Sequence, residues 1–127
     1  VSRDGGPGEG NVVRGSGLIL LVDDEDLLRG ILAEALEDEG YAVVQAEAGD
    51  TALDVLRAEP RINLMVTDIR MVGMTGLELA THARTLRPDL GIVLISGHFN
   101  ADTPPHRFLR KPFNLADLIA AVEAERS

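Results

Sequence analysis

The sequence predicts an α/β fold built on a parallel sheet, and three observations carry that expectation. Apolar runs of four to six residues alternate with amphipathic stretches along most of the 127 residues, the pattern of repeated strand-helix units. Three of the runs end on an acidic or hydroxyl residue: Asp23-Asp24 follow Leu18 to Val22, Asp68 follows Leu64 to Thr67, and Ser96 follows Ile92 to Ile95. Of the twelve basic residues only Lys111 is a lysine, and it follows a fourth short run, Arg107 to Arg110.

Each element has its own local cause. After the first strand, Leu18 to Val22, the residues Leu27, Leu28, Ile31, Leu32, Ala35 and Leu36 recur at helical spacing, and Gly40 is placed to stop that helix. Ala42 to Ala46 form the second strand. Asp50 or Thr51 is expected to cap a helix that carries Leu53 and Leu56 and ends before Pro60. The third strand is Leu64 to Thr67. Thr75 and Glu78 have capping-box spacing, so a third helix opens there and ends before Pro88. Ile92 to Ile95 and Arg107 to Arg110 are the fourth and fifth strands. Asn114 with Asp117 caps a last helix, whose Leu115, Leu118, Ile119 and Val122 share one face. Between the last two strands, Gly97 to His106 contains two prolines and little helical periodicity, which predicts a shortened or missing fourth helix.

Composition narrows the function. At 45% hydrophobic residues the chain supports one core, expected over 18–127, with a glycine-rich lead-in over 1–17. A formal net charge of -9 argues against direct nucleic-acid binding, which rewards a basic surface. Without cysteine there is neither a disulfide framework nor a thiolate metal site. No apolar run approaches the roughly 20 residues of a membrane helix, so no membrane segment is expected and a cytoplasmic location fits.

Strand ends gather along one edge of a parallel sheet, where open α/β folds place their ligands. Asp23, Asp24, Asp68, Ser96 and Lys111 are therefore expected to converge. Two carboxylates about 4 Å apart repel by roughly 4 kcal/mol at an effective dielectric of 20, so either one stays protonated or a cation joins them. An all-oxygen donor set favours Mg²⁺. Asp68 is then placed to act as a nucleophile toward a phosphoryl group, with Lys111 and Ser96 holding phosphoryl oxygens.

These residues stand in four segments: Leu20-Leu21-Val22-Asp23-Asp24-Glu25, Val66-Thr67-Asp68-Ile69-Arg70-Met71, Leu94-Ile95-Ser96-Gly97 and Phe108-Leu109-Arg110-Lys111-Pro112-Phe113. In order and spacing the chain resembles the receiver domains of two-component response regulators, from about Leu18 to Val122. The resemblance implies a flavodoxin-like, doubly wound five-stranded sheet of order 2-1-3-4-5. It implies Asp68 as phosphoacceptor, and Mg²⁺ held by Asp23, Asp24, Asp68 and the backbone carbonyl of Arg70. It also implies Ser96 and Lys111 at the phosphoryl group, Phe108 as an aromatic switch, and a Lys111-Pro112 bond that is often cis. Arg70 and His98 fall where family side chains overhang the phosphoryl group, so they are expected either to lengthen its lifetime or, pointing into solvent, to leave it unchanged. The phosphodonor would be a phosphohistidine on a histidine kinase or a histidine phosphotransfer protein.

Val72 stands where the family commonly has proline, and Thr75 where it commonly has aspartate. The first residue is valine, the lead-in is rich in glycine, and almost nothing follows the last helix. The expected context is thus either the receiver of a hybrid histidine kinase or a stand-alone receiver. Such a domain catalyses only its own phosphorylation. A Mg²⁺-dependent phosphohydrolase with an aspartyl-phosphate intermediate is the alternative enzyme class, but its acidic pair is usually split by one residue and it carries a cap. A non-phosphorylated pseudo-receiver is the alternative binding class, and the complete acidic, hydroxyl and lysine set argues against it.

Overall fold

The structure, a computed structural model, describes residues 18–97 and 106–126. Along them run β1 (Leu18–Val22), α1 (Asp26–Asp38), β2 (Ala42–Ala46), α2 (Gly49–Ala58), β3 (Ile62–Asp68), α3 (Gly76–Leu86), β4 (Gly91–Ser96), β5 (Arg107–Arg110) and α4 (Leu115–Arg126). The strands are parallel and lie in the order β2-β1-β3-β4-β5. The expected 2-1-3-4-5 sheet is therefore present. The segment where a shortened fourth helix was expected lies largely outside the described residues, as does the lead-in.

Alternation along the strands divides the core into two layers. Leu20, Val22, Met65, Ile92 and Leu94 pack toward α2 and α3. Ile19, Leu21, Val66, Val93 and Ile95 pack toward α1 and α4. Both sheet faces are covered, which is why the strands read as continuous apolar runs rather than alternating ones. The core is fullest at β3 and β4, where Met65, Val66, Val93 and Leu94 have no exposed surface.

The helix ends follow their local signals with one exception. Gly40 has φ +97°, Tyr41 N–H donates to the Leu36 carbonyl and Gly40 N–H to that of Glu37, a Schellman stop for α1. At α3 the Glu78 N–H donates to Thr75 Oγ1 and the Thr75 N–H to Glu78 Oε1, the expected capping box. Asn114 and Asp117 exchange the same pair of bonds before α4. Helix α2 departs from expectation, because it starts at Gly49 behind Ala48 with no side-chain cap, and Asp50 and Thr51 lie inside its first turn. Gly49 is buried against Met74, whose sulfur would stand 2.7 Å from an added Cβ, so tight packing of the helix start sets the boundary.

Not every periodic residue is core. Leu27 and Ile31 on α1 are 81% and 49% exposed, and Leu115 on α4 is 47% exposed. Ala33, outside the apolar stripe read from the sequence, is buried instead. The stripe on α1 is narrower and rotated from the one expected.

Candidate functional site

The chain reverses direction across the sheet between β1 and β3, since β2 lies outside β1 while β4 and β5 lie beyond β3. The crevice at the carboxyl ends of these two strands is where such folds bind ligands. Asp23 follows β1 and Asp68 ends β3, and both are buried, at 2% and 5% exposure. Ser96 ends the adjacent β4 and is buried too. Lys111 follows β5 on the far side.

Lys111 Nζ donates to Asp68 Oδ2 at 2.8 Å, the direct contact between the sequence's single lysine and its best nucleophile. The Arg70 N–H donates to Asp68 Oδ1 at 3.1 Å, so both carboxylate oxygens are engaged. The Lys111 N–H donates to the Ser96 carbonyl at 2.8 Å, which pins the loop after β5 to the end of β4. Lys111-Pro112 is cis, as the resemblance implied. Burial pulls the lysine's pKa down, but the hydrogen bond and charge of Asp68, with Asp23 and Glu25 behind them, hold it above its ordinary value. Lys111 is a fixed cation here.

Asp23 is raised above the usual carboxylate range, first by burial and then by the charge of Asp68; the Glu25 N–H and Lys111 oppose this. Two buried carboxylates thus share one ammonium, and negative charge is in excess. A hard divalent cation is what this all-oxygen set lacks, and in that respect the residues fit Mg²⁺. The third expected ligand is placed differently. Asp24 is exposed, and its Oδ2 accepts from the Val72 N–H at 3.0 Å. Among the described residues no three acidic or histidine side chains are gathered closely enough to hold a metal.

Phe108 is half-buried on β5 against the α2 and α3 layer. The Arg70 side chain is exposed beside the site. His98, the other expected lifetime residue, lies outside the described residues. Two supports were not foreseen. Arg29 Nη1 donates to the Asp23 carbonyl at 2.6 Å, Nε to Gln45 at 3.1 Å, and Nη2 pairs with Asp26 at 2.9 Å, clamping the β1–α1 corner to β2. Gly76 starts α3 against β3, where an added Cβ would collide with the Asp68 carbonyl oxygen and lie 2.8 Å from Ile69 Cα. The sequence signal for Gly76 was its place just inside the capping box, whereas nothing in the sequence marked Arg29.

The sequence profile of the response regulator receiver domain matches residues 19–123. The chain belongs to the response regulator receiver family. It is 40% identical to the response regulator receiver protein CpdR of Brucella abortus over 112 residues, 83% of this chain and 92% of that one. It is 33% identical to the sensor kinase CckA of the same organism over 117 residues, 86% of this chain but only 12% of the kinase. Among solved structures it resembles the response regulator TrrA of Thermotoga maritima in complex with Mg²⁺ and a beryllium fluoride, at TM-score 0.78 and 32% identity, covering 85% of this chain and 97% of TrrA. The receiver is thus a domain of two-component signalling. No helix among its described residues is long and apolar enough to cross a membrane.

Proposed function

We propose that the receiver takes a phosphoryl group from a phosphohistidine onto Asp68. One observation carries this reading: a buried carboxylate at the sheet's switch point is paired at 2.8 Å with the only lysine of the chain. An Asp68 oxygen attacks phosphorus, the phosphorus–nitrogen bond breaks, and its electron pair returns to the donor imidazole. Because Lys111 starts on Asp68, its flexible stem lets the ammonium pass from the carboxylate to an incoming phosphoryl oxygen. The Ser96 hydroxyl takes a second oxygen. Phe108, which lies opposite Leu94 two positions before Ser96 on the neighbouring strand, would report the change to the α2 and α3 side. Mg²⁺ would be held by Asp23, Asp24, Asp68 and the Arg70 carbonyl, and would supply charge neutralisation for the arriving phosphate.

The donor belongs to a histidine kinase or phosphotransfer protein, approached from the cytoplasm. Both expected contexts have a precedent among the relatives, since CpdR is similar over 92% of its length and CckA carries its similarity within a sensor kinase. With Mg²⁺ and a small acyl phosphate, intact mass should rise by one phosphoryl group, and Asp68→Asn should abolish the gain. Labelling that persists in Asp68→Asn would refute the assignment to that residue. A wild-type protein that never labels, even from a phosphorylated kinase, would make it a binding module instead.

A further inference from the structure

The Val72 N–H holds the carboxylate that the metal needs. It donates to Asp24 Oδ2 at 3.0 Å across 48 positions of sequence and ties the β1–α1 corner to the loop between β3 and α3. The valine side chain takes no part in this tie, because Val72 is 86% exposed. Only its backbone N–H does. Gly73, next along the loop, has φ +82°, a left-handed turn that an L side chain rarely adopts. Asp24, Ile69, Arg70, Met71, Val72 and Thr75 line a shallow cleft at this junction.

We propose that this hydrogen bond is a latch that competes with the divalent cation for Asp24, so that metal loading and the conformation of the loop over 70–75 are coupled. The inference rests on the metal-binding reading above. Three facts support it. Asp23 and Asp68 are already buried at the strand ends, Asp68 bonded to Lys111, so Asp24 is the ligand that has to move. As it stands, Asp24 completes no metal-holding group among the described residues. An N–H bonded to Oδ2 also draws charge from the carboxylate and fixes its rotamer, which weakens it as a ligand until the bond is released. By linkage, a partner that prefers the latched loop lowers metal affinity by the factor by which the metal lowers its own.

Proline has no N–H, so Val72→Pro deletes the latch, whereas Val72→Ala keeps it. Mg²⁺ affinity is read from amide shifts of the labelled full chain. Val72→Pro should bind roughly three- to ten-fold more tightly than wild type, the range to which one net hydrogen bond converts, and Val72→Ala should match wild type. In the wild type, the Val72 amide should lose protection from hydrogen exchange as Mg²⁺ saturates. Equal affinity in all three proteins overturns the proposal. So does a Val72 amide equally protected with and without Mg²⁺, a measurement that decides the matter even if Val72→Pro fails to fold. Absence of any Mg²⁺-dependent shift at Asp23 or Asp68 in wild type would instead remove the metal reading, and the latch with it.

Discussion

Arg87 and Lys111 mark opposite ends of the sheet, and their partners differ in kind. At the amino end Arg87 donates from Nη1 to the Ile62 carbonyl at 2.6 Å, and from Nη2 to those of Leu56 at 3.0 Å and Glu59 at 2.6 Å. These carbonyls close α2 and open β3, so one guanidinium fork serves three backbone acceptors, of which Glu59's also takes the Ile62 N–H at 3.3 Å. At the carboxyl end Lys111 faces two buried carboxylates and cannot neutralise both. One end spends a charge to satisfy the backbone; the other keeps charge unsatisfied. Folding explains the first arrangement. The second agrees with the proposed cation and phosphoryl site, since stability alone would favour fewer carboxylates there.

The largest effect should come from removing the structural charge. Arg87→Met removes the guanidinium from three carbonyls, of which Glu59's keeps the Ile62 N–H, and should cost about 2–4 kcal/mol, discounted for non-additivity among bonds to one group. Denaturant melts would measure it. Phosphorylation per folded molecule should stay unchanged, and a selective loss of phosphorylation would break the division between the two ends.

Asp23→Asn should act in the opposite sense. The neutral amide relieves a buried carboxylate whose charged form the fold disfavours, so at pH 7 without divalent cation it should stabilise by about 0.5–2 kcal/mol. Mg²⁺ binding should weaken in the same protein. A variant both less stable and unchanged toward Mg²⁺ would show that the excess charge at this end has been misjudged.

His106 supplies the smallest test, at the amino end of β5. Burial first, and then the charge of Arg84, lower its pKa below 6.5, with Glu125 opposing. Its buried Nδ1 has no hydrogen-bond partner. The unfolded chain therefore binds the proton more readily than the fold does, and stability should fall as pH drops through about 6.5, levelling off below the folded value. The ring is only half-buried, so solvent screening keeps the effect small. His106→Gln should flatten this part of the stability profile between pH 7.5 and 5 while leaving phosphorylation at pH 7 unaltered.

Strand positions, the starts of α3 and α4 and the Gly40 stop were legible because their causes act over a few residues: apolar runs, a capping side chain three positions from its partner, a glycine where φ turns positive. The site was legible for a related reason. Parallel strands bring their carboxyl ends to one edge whatever the packing, so Asp23, Asp68, Ser96 and Lys111 could be gathered from their places in the sequence alone. What needed the tertiary structure were contacts with no local signature. Asp24 meets Val72 across 48 positions, Arg87 reaches Leu56 across 31, and the Tyr41 hydroxyl meets Glu123 across 82. The face of α1 that leaves Leu27 and Ile31 exposed belongs with them, because a helix turns its stripe to fit the sheet beneath it. Such partners depend on how layers stack and which oxygens remain unclaimed, and no spacing along a chain encodes that.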